Sequence, residues 1–486
     1  MSKPVMLVLG LLVALGVVVA VLLVRTFSYS PEAVLPAEAA VIELDEQRVL
    51  RHLSEAVRFQ TVSRESPEPI DAEAFEGFLV WMQATYPEAF VRLTAQRIGG
   101  YSLLLTWLGS DPTLPPVLLA GHYDVVPVIP GTEALWAHPP FAGRIADGFL
   151  WGRGALDNKN AVIGLMEAVT WLLERGEQPQ RTVYLSFGHD EEIGGEAGAA
   201  RVVEHLRAAG VQLAWSLDEG SFVFYDIFPG VSLPVATINT AEKGSVSLRI
   251  VAQAEGGHSS MPPRQTAVGH LARALVKLEQ NPMPGGLEGL AAASFDAVGP
   301  HMPFLPRMMF ANRWLFGPLV ERQLGQLPFA DAMLRTTTAP TMLAASPKVN
   351  VLPIEASATV NFRVHPRDSV DDVIRHVTAL VANEHVRVEA QEGRAASAVA
   401  DMTSEGYRLV EAAVRAEFGD LVVAPGLLVA ATDSRYYAQI ADHAFRFNPM
   451  VVTPAEVAGF HGTNERISTA GMLQGVRTYV RLLRML

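Results

Sequence analysis

Cysteine is absent from all 486 residues. The chain therefore has no disulfide, no thiolate-bound zinc or iron–sulfur cluster and no thiol nucleophile, and any metal site must be built from His, Asp and Glu. Basic residues are also scarce, with 38 Lys plus Arg against 51 Asp plus Glu and a formal charge of −13. That balance supplies no basic footprint for a phosphate backbone, so no nucleic-acid partner is expected. Charged residues make up only 18% and apolar ones 49%, which excludes a disordered or collagen-like chain. Three enzymatic signatures are missing as well: a His-Glu-x-x-His helix, a Gly-x-Ser-x-Gly elbow and a Walker A loop.

What is present begins with an unbroken apolar run of 20 residues, Val5 to Val24. At ~1.5 Å per residue it spans the ~30 Å hydrocarbon core of a bilayer. A secretory signal has a shorter apolar region, about 7–15 residues, ending in a small-residue cleavage site. Here the run ends at Arg25, and Ala37–Ala40 is the nearest candidate for cleavage. The expectation is a transmembrane anchor over 1–25, with secretion after cleavage as the alternative. Lys3 before the span, and Glu32 and Glu38 beyond it, favour a cytoplasmic N-terminus and an extracytoplasmic body. Residues 26–44 read as a tether.

The length calls for more than one globular unit. After the helical spacing of Asp45–Arg58 and Ala72–Thr85, short apolar runs alternate with helical ones. Pro116–Ala120, Thr182–Phe187 and Leu213–Leu217 read as strands; Ala161–Leu173 and Glu196–Ala209 read as helices. This alternation predicts an α/β catalytic domain whose largely parallel sheet is flanked by helices. Its first part would cover 45–240 and its second 394–486. Between them, 241–393 changes texture: the alternating Ser245–Ala252 and Ala356–Val364 bracket helical runs, as in an inserted α+β lid. Within the lid, about 281–345 forms an insertion rich in Pro, Met, Phe and Leu.

Polar residues gather just past the strand ends, where open α/β sheets place their ligands. They are His122 and Asp124, then Asp157, then Glu191 and Glu192, then Asp218, with His461 near the C-terminus. A single acid after a strand is ordinarily a turn or helix cap; repetition at successive strands points to shared chemistry. Two imidazoles and three carboxylates suffice for a pair of ions ~3.5–4 Å apart if one carboxylate bridges. Asp124, two residues beyond His122, could fix the imidazole tautomer.

The segments around these residues are Gly121-His122-Tyr123-Asp124, Gly154-Ala155-Leu156-Asp157-Asn158-Lys159, Gly188-His189-Asp190-Glu191-Glu192 and Asp218-Glu219-Gly220. Gly257-His258-Ser259-Ser260, Asn350-Val351-Leu352-Pro353, Asn361-Phe362-Arg363, Thr432-Asp433-Ser434-Arg435 and His461-Gly462-Thr463-Asn464-Glu465 follow in order. Together they resemble the aminoacylase/carboxypeptidase S family of di-zinc metallopeptidases over roughly residues 46–486. The likeness is greatest to its carboxypeptidase S and N-fatty-acyl-amino-acid synthase/hydrolase branch. The resemblance implies two zinc ions bridged by Asp157, with His122 and Asp218 completing one site and Glu192 and His461 the other. It further implies Glu191 as general base, Asp124 as the partner of His122, and His258 as the lid residue polarising the scissile carbonyl. Asn350 and Arg363 would hold the substrate, Arg363 on its carboxylate, with Arg435 a second candidate for that task. In dimeric relatives the lid histidine reaches the partner's site, so a homodimer through the lid is a further expectation.

The expected activity is hydrolysis, and in reverse formation, of the amide bond of N-acyl, above all N-fatty-acyl, amino acids. Trimming of short peptides by carboxypeptidase action is the enzymatic alternative, and a non-catalytic binding protein is the alternative from another class. The run Met302-Pro303-Phe304-Leu305-Pro306-Arg307-Met308-Met309-Phe310 fits ordinary core packing or an apolar groove for acyl chains.

Overall fold

The apolar runs form buried strands in a computed structural model that describes residues 3–31, 40–65 and 69–486. Part of the expected tether, 32–39, lies outside the described residues. Val183–Gly188, Val117–His122, Leu213–Asp218 and Ala441–Arg446 lie side by side in that order, all parallel. Strands covered on both faces need continuous apolar sequence, and Val117–His122 is buried at every position. Helix Lys159–Leu173 crosses over between the first two parallel strands in the chain, and Ala199–Ala208 between the next two. Lys159–Leu173 shares one core with the sheet, including Leu119, Ile163, Val183, Trp215 and Phe445, and Ala199–Ala208 packs Val202, Val203 and Leu206 in a second one with Leu104, Leu118 and Leu213. Asp45 and Asp71 cap the helices Glu46–Arg58 and Ala72–Thr85, at 3.0 Å from Arg48 N and 3.2 Å from Ala74 N. Caps of this kind contribute about 1 kcal/mol each.

The ten-stranded sheet is mixed rather than largely parallel. One margin is the hairpin Thr94–Ile98 and Ser102–Trp107, and Ser102–Trp107 runs antiparallel to Val183–Gly188. A parallel neighbour needs a crossover of a dozen residues or more, whereas a short turn suffices for a hairpin. Gly99 and Gly100 supply that turn with φ of 60° and 102°. Across the sheet, Ala441–Arg446 meets Val235–Glu242 antiparallel, and Val422–Leu428 pairs in parallel with Val235–Glu242.

A second, four-stranded antiparallel sheet joins Thr337–Ala344, Glu355–Val364, Gly244–Gln253 and Val386–Arg394 in that order. Its strands bury alternate residues: Val246, Leu248 and Ile250 of one and Val360 and Phe362 of the next form a separate core. Helices Ala267–Gln280 and Val370–Val381 cover that face.

The insertion folds as helices Gly289–Val298, Phe304–Ala311, Arg313–Leu324 and Pro328–Leu334. Gly289–Val298 lies on the ten-stranded sheet, where Ser294 Oγ donates to Pro425 O at 2.6 Å and Val298 packs with Val422 and Ala424. Phe310 is buried and stacks on Phe295 at 5.4 Å. It belongs to the packing of the insertion rather than to an open groove. Lys3–Ser28 is a helix with a mean hydropathy of 3.3 over its most apolar window, none of that window buried. Among the described residues it is the one helix long and apolar enough to cross a membrane.

Candidate metal centre

Each side chain of the centre stands where a regular element ends. His122 closes its strand, Asp157 stands two residues before helix Lys159–Leu173, and Glu191–Ile193 is a 3₁₀ turn after Val183–Gly188. Glu219 follows strand Leu213–Asp218, and His461 sits in a loop with φ of 51°. Asn464 (φ 62°) pins that loop by accepting from Ala137 N at 2.7 Å and donating to Leu135 O at 3.1 Å.

Two groups of three possible ligands share Asp157. In the first, His122 Nε2 lies 3.2 Å from Asp157 Oδ1 and 3.1 Å from Glu219 Oε1. In the second, His461 Nε2 lies 3.0 Å from Asp157 Oδ2 and 3.3 Å from Glu192 Oε2. Donors at ~2.0–2.1 Å from a tetrahedral zinc ion are ~3.3 Å from one another, so both groups have the right spacing for one ion each. Glu192 Oε1 is buried with no hydrogen-bond partner among the described residues, an acceptor that a cation would satisfy. Glu191 Oε2 is 3.9 Å from His122 Nε2, beside the first group.

The sequence predicts Asp218 at the corner that Glu219 occupies. Asp218 is the last residue of its strand: its carbonyl accepts from Phe447 N at 2.7 Å and its Oδ1 from Glu219 N at 2.9 Å, while its Oδ2 is buried with no hydrogen-bond partner among the described residues. Side chains of consecutive residues leave a strand in opposite directions. Asp218, 4% exposed, belongs to neither three-ligand group, whereas Glu219 joins His122 and Asp157.

A layer of buried polar groups fixes these side chains. Glu465 Oε1 accepts from Leu156 N at 2.9 Å and Asp157 N at 3.1 Å, and its Oε2 accepts from Arg153 Nη1 at 2.6 Å. The Asp157–Asn158 peptide is cis. Asp124 is fully buried and accepts from Glu191 N at 3.3 Å, from Glu192 N at 3.1 Å and from Ser63 Oγ. His122 Nδ1 lies 3.0 Å from the Asp124 carbonyl oxygen and 3.3 Å from its carboxylate, so Asp124 tethers both the imidazole and the acidic turn. Glu465 was visible only as the last residue of a motif, with no role attached. Nothing in its spacing says that it would reach back to residue 157.

Charge explains why this arrangement needs a cation. Burial pushes the Glu191 carboxyl well above its usual range; neighbouring His122 opposes that and Glu219 adds to it. Burial, offset in part by His122, pushes Glu219 up to about 7. Hydrogen bonds to Asp157 and Glu192 hold the His461 imidazolium up to about 10. Among the described residues no Lys or Arg pairs with Asp157, Glu191, Glu192 or Glu219. Crowded acids with only imidazoles for company are the electrostatic signature of a divalent-cation site.

The remaining predicted residues lie elsewhere. His258 is exposed on the short strand Gly257–His258, and its hydrogen-bond partner among the described residues is Ser260, whose Oγ is 2.7 Å from Nδ1. Asn350 is on the adjoining ribbon, its carbonyl accepting from Ser259 N at 3.1 Å. His258 and Asn350 are thus brought together, and among the described residues neither hydrogen-bonds to the carboxylate cluster. Arg363 is exposed on Glu355–Val364 between Ser245 and Thr337 of the flanking strands, its guanidinium without a hydrogen bond or ion pair among the described residues. Arg435 is tied down, donating to the Gly194 carbonyl just past the acidic turn and stacking over Tyr436 at 4.8 Å. That contact braces the turn and occupies the guanidinium.

The model of peptidase family M20/M25/M40 matches residues 118–485. The chain belongs to that family. It is 40% identical over 484 residues to the N-fatty-acyl-amino acid synthase/hydrolase PM20D1 of Xenopus tropicalis, covering 97% of this chain and 93% of the relative. To the probable carboxypeptidase S-like 2 of Dictyostelium discoideum it is 38% identical, covering 91% and 85%. Carboxypeptidase S of Saccharomyces cerevisiae is 28% identical, with 88% and 82% covered. The M20 family metallo-carboxypeptidase Sso-CP2 of Sulfolobus solfataricus shares the fold, with a TM-score of 0.62 at 17% identity over 90% of this chain and 98% of that one. As a member of this family the chain is a metallohydrolase acting on amide or peptide bonds.

The choice between adjacent acids is testable. Glu219→Gln is expected to lose metal from one site and to cut turnover, whereas Asp218→Asn should keep both metals and most activity. Metal content per chain decides, and the reverse pattern would return the ligand role to Asp218.

Proposed function

We propose that this chain hydrolyses the amide bond of N-acyl amino acids, above all N-fatty-acyl ones, with two zinc ions. One observation carries the reading: two three-ligand groups sharing Asp157 stand beside Glu191 in a chain 40% identical to a fatty-acyl-amino-acid synthase/hydrolase along nearly its whole length. In this reading Asp157 bridges, His122 and Glu219 complete one site, and Glu192 and His461 complete the other. Zinc, when bound, supplies Lewis-acid polarisation of the carbonyl and acidifies a water.

The protein's own groups perform the proton transfers. Glu191 accepts a proton from the attacking water as its oxygen bonds the carbonyl carbon, then gives that proton to the nitrogen as the C–N bond breaks. A carboxylic acid and a free amino acid leave; at high concentrations of both, the same steps reversed form the amide. Asp124 keeps Glu191 and His122 in register through its hydrogen bonds. His258 acts from the lid on the developing oxyanion, after closure or from a second subunit. Arg363, exposed and without an ion pair among the described residues, is available to bind the substrate carboxylate as a fork. Arg363→Ala should therefore raise KM for substrates with a free α-carboxylate and leave their methyl esters unaffected. Equal losses on acid and ester would remove Arg363 from that role.

The carboxypeptidase S relatives support a second reading, removal of a C-terminal residue from short peptides. Both readings need a carboxylate next to the scissile amide, so the leaving amino acid is common and the acyl side discriminates. Amino-acid release from acetyl through long-chain N-acyl amino acids and from dipeptides separates them. On the fatty-acyl reading kcat/KM rises with chain length, by up to ~0.8 kcal/mol per buried methylene. A flat dependence with faster dipeptide cleavage favours the peptidase. The apolar helix Lys3–Ser28 supports attachment to a membrane, and Lys3 before the span with Glu32 and Glu38 beyond it supports a catalytic body on the extracytoplasmic side.

A further inference from the structure

The apolar helix does not stand apart from the body; the insertion grips its end. Asn312, fully buried, donates through Nδ2 to Leu22 O at 3.2 Å and Thr26 Oγ1 at 3.3 Å. Arg25 Nε donates to Ala311 O at 3.0 Å. Tyr29 Oη lies 3.1 Å from Asp296 Oδ1, and the Phe27 and Phe304 rings are 6.1 Å apart. These contacts fix depth. If Val5–Val24 fills the hydrocarbon core, Leu22 is two residues, ~3 Å, inside its edge. Asn312, bonded to Leu22, lies at that depth, and the helix that follows it starts there.

That helix, Arg313–Leu324, leaves Trp314, Leu315 and Leu319 exposed by 56%, 45% and 46%. Leu315 and Leu319, four residues apart, share one face, and Trp314 stands about 100° round the helix from Leu315. The preceding helix, Phe304–Ala311, exposes Phe304 and Leu305 by 45% and 61%. An apolar surface of this kind, led by a Trp at the interface level, has the composition of a helix lying in a bilayer surface. Charge agrees in part: in a chain of net −13, residues 297–320 contain no Asp or Glu; of their Arg307 and Arg313, the latter pairs with Asp296 at 2.8 Å, and Glu321 near the end of the second helix accepts from Leu287 N at 3.0 Å. An acid-free stretch suits contact with lipid phosphates.

We infer that the helices Phe304–Ala311 and Arg313–Leu324 form a membrane-embedded foot, seated in the outer lipid leaflet beside the anchor. The occupant of the exposed apolar face is the bilayer itself. This rests on the anchor reading of Lys3–Ser28, and goes beyond it by giving the enzyme a second, non-spanning contact that orients the body on the membrane.

The absence of cysteine makes the test clean, because each introduced thiol is unique. The full chain, reconstituted in phosphatidylcholine–phosphatidylglycerol vesicles, is labelled with a fluorophore at Leu319→Cys, Leu305→Cys, Leu12→Cys or Arg201→Cys, one at a time. Nitroxide lipids then quench whatever lies in the membrane, and retained amide hydrolysis verifies folding. Quenching at Leu319 and Leu305 of at least half that at Leu12, with none at Arg201, is the expected result. Strong quenching at Leu12 with Leu319 and Leu305 matching Arg201 would overturn the foot and spare the anchor. Shielding of Leu319 from aqueous iodide without lipid quenching would overturn it in favour of a protein contact, such as a second copy. Quenching at Leu319 without quenching at Leu12 would support the foot and overturn the anchor instead.

Discussion

Glu191→Gln is expected to bind both metals normally and to lose turnover by ~10²–10⁴-fold, the range for removal of a general base. The carboxyl lies 3.9 Å from His122 Nε2, beside the first ligand group but outside it. Glutamine preserves its volume and, through the unchanged backbone N–H, the tether to Asp124 at 3.3 Å. What it removes is the ability to accept the water proton. Metal analysis together with kcat on one N-acyl substrate makes the check. Near-normal rates in fully loaded Glu191→Gln enzyme would take the base role from this residue.

Asp157→Ala should fail differently. Asp157 belongs to both ligand groups, with Oδ1 facing His122 and Oδ2 facing His461. Its loss leaves each ion with two protein donors, fewer than the three that catalytic zinc sites ordinarily use. The expected outcome is loss of both metals on dialysis and a fall in activity at least as large as that of Glu191→Gln. Excess zinc should restore little of it. Two tightly held ions in Asp157→Ala would contradict the shared ligand, and with it the pairing of the sites.

The two variants also mark what could be read without the structure. His122, Asp157, Glu192 and His461 were legible because each follows an apolar run or stands in an ordered motif, and strand ends are where open sheets bind ligands. Asp218 and Glu219 were not separable. They are neighbours at a strand terminus, and only the register of Leu213–Asp218 decides which one faces His122. A shift of one residue exchanges the faces.

The strands buried on both sides were evident from continuous apolar sequence. The hairpin strand Thr94–Ile98 was not, being polar and largely exposed, so the sheet read as more parallel than it is. The insertion advertised its apolar character but not its partner. Whether Phe310 lines a groove or packs on Phe295 is settled by how two neighbouring helices of the insertion cross, which the apolar pattern of either one does not encode. The grip of Asn312 on Leu22 is far less local, joining positions 290 residues apart.

Stoichiometric reconstitution tests the central claim most directly. Enzyme stripped of metal with a chelator is titrated with zinc while release of free amino acid from a long-chain N-acyl amino acid is followed. The two ligand groups sharing Asp157 predict no hydrolysis without metal and a rate that rises to a plateau at two zinc ions per chain. Full activity in the stripped enzyme, or a plateau reached at one ion, would contradict a paired-metal amidohydrolase.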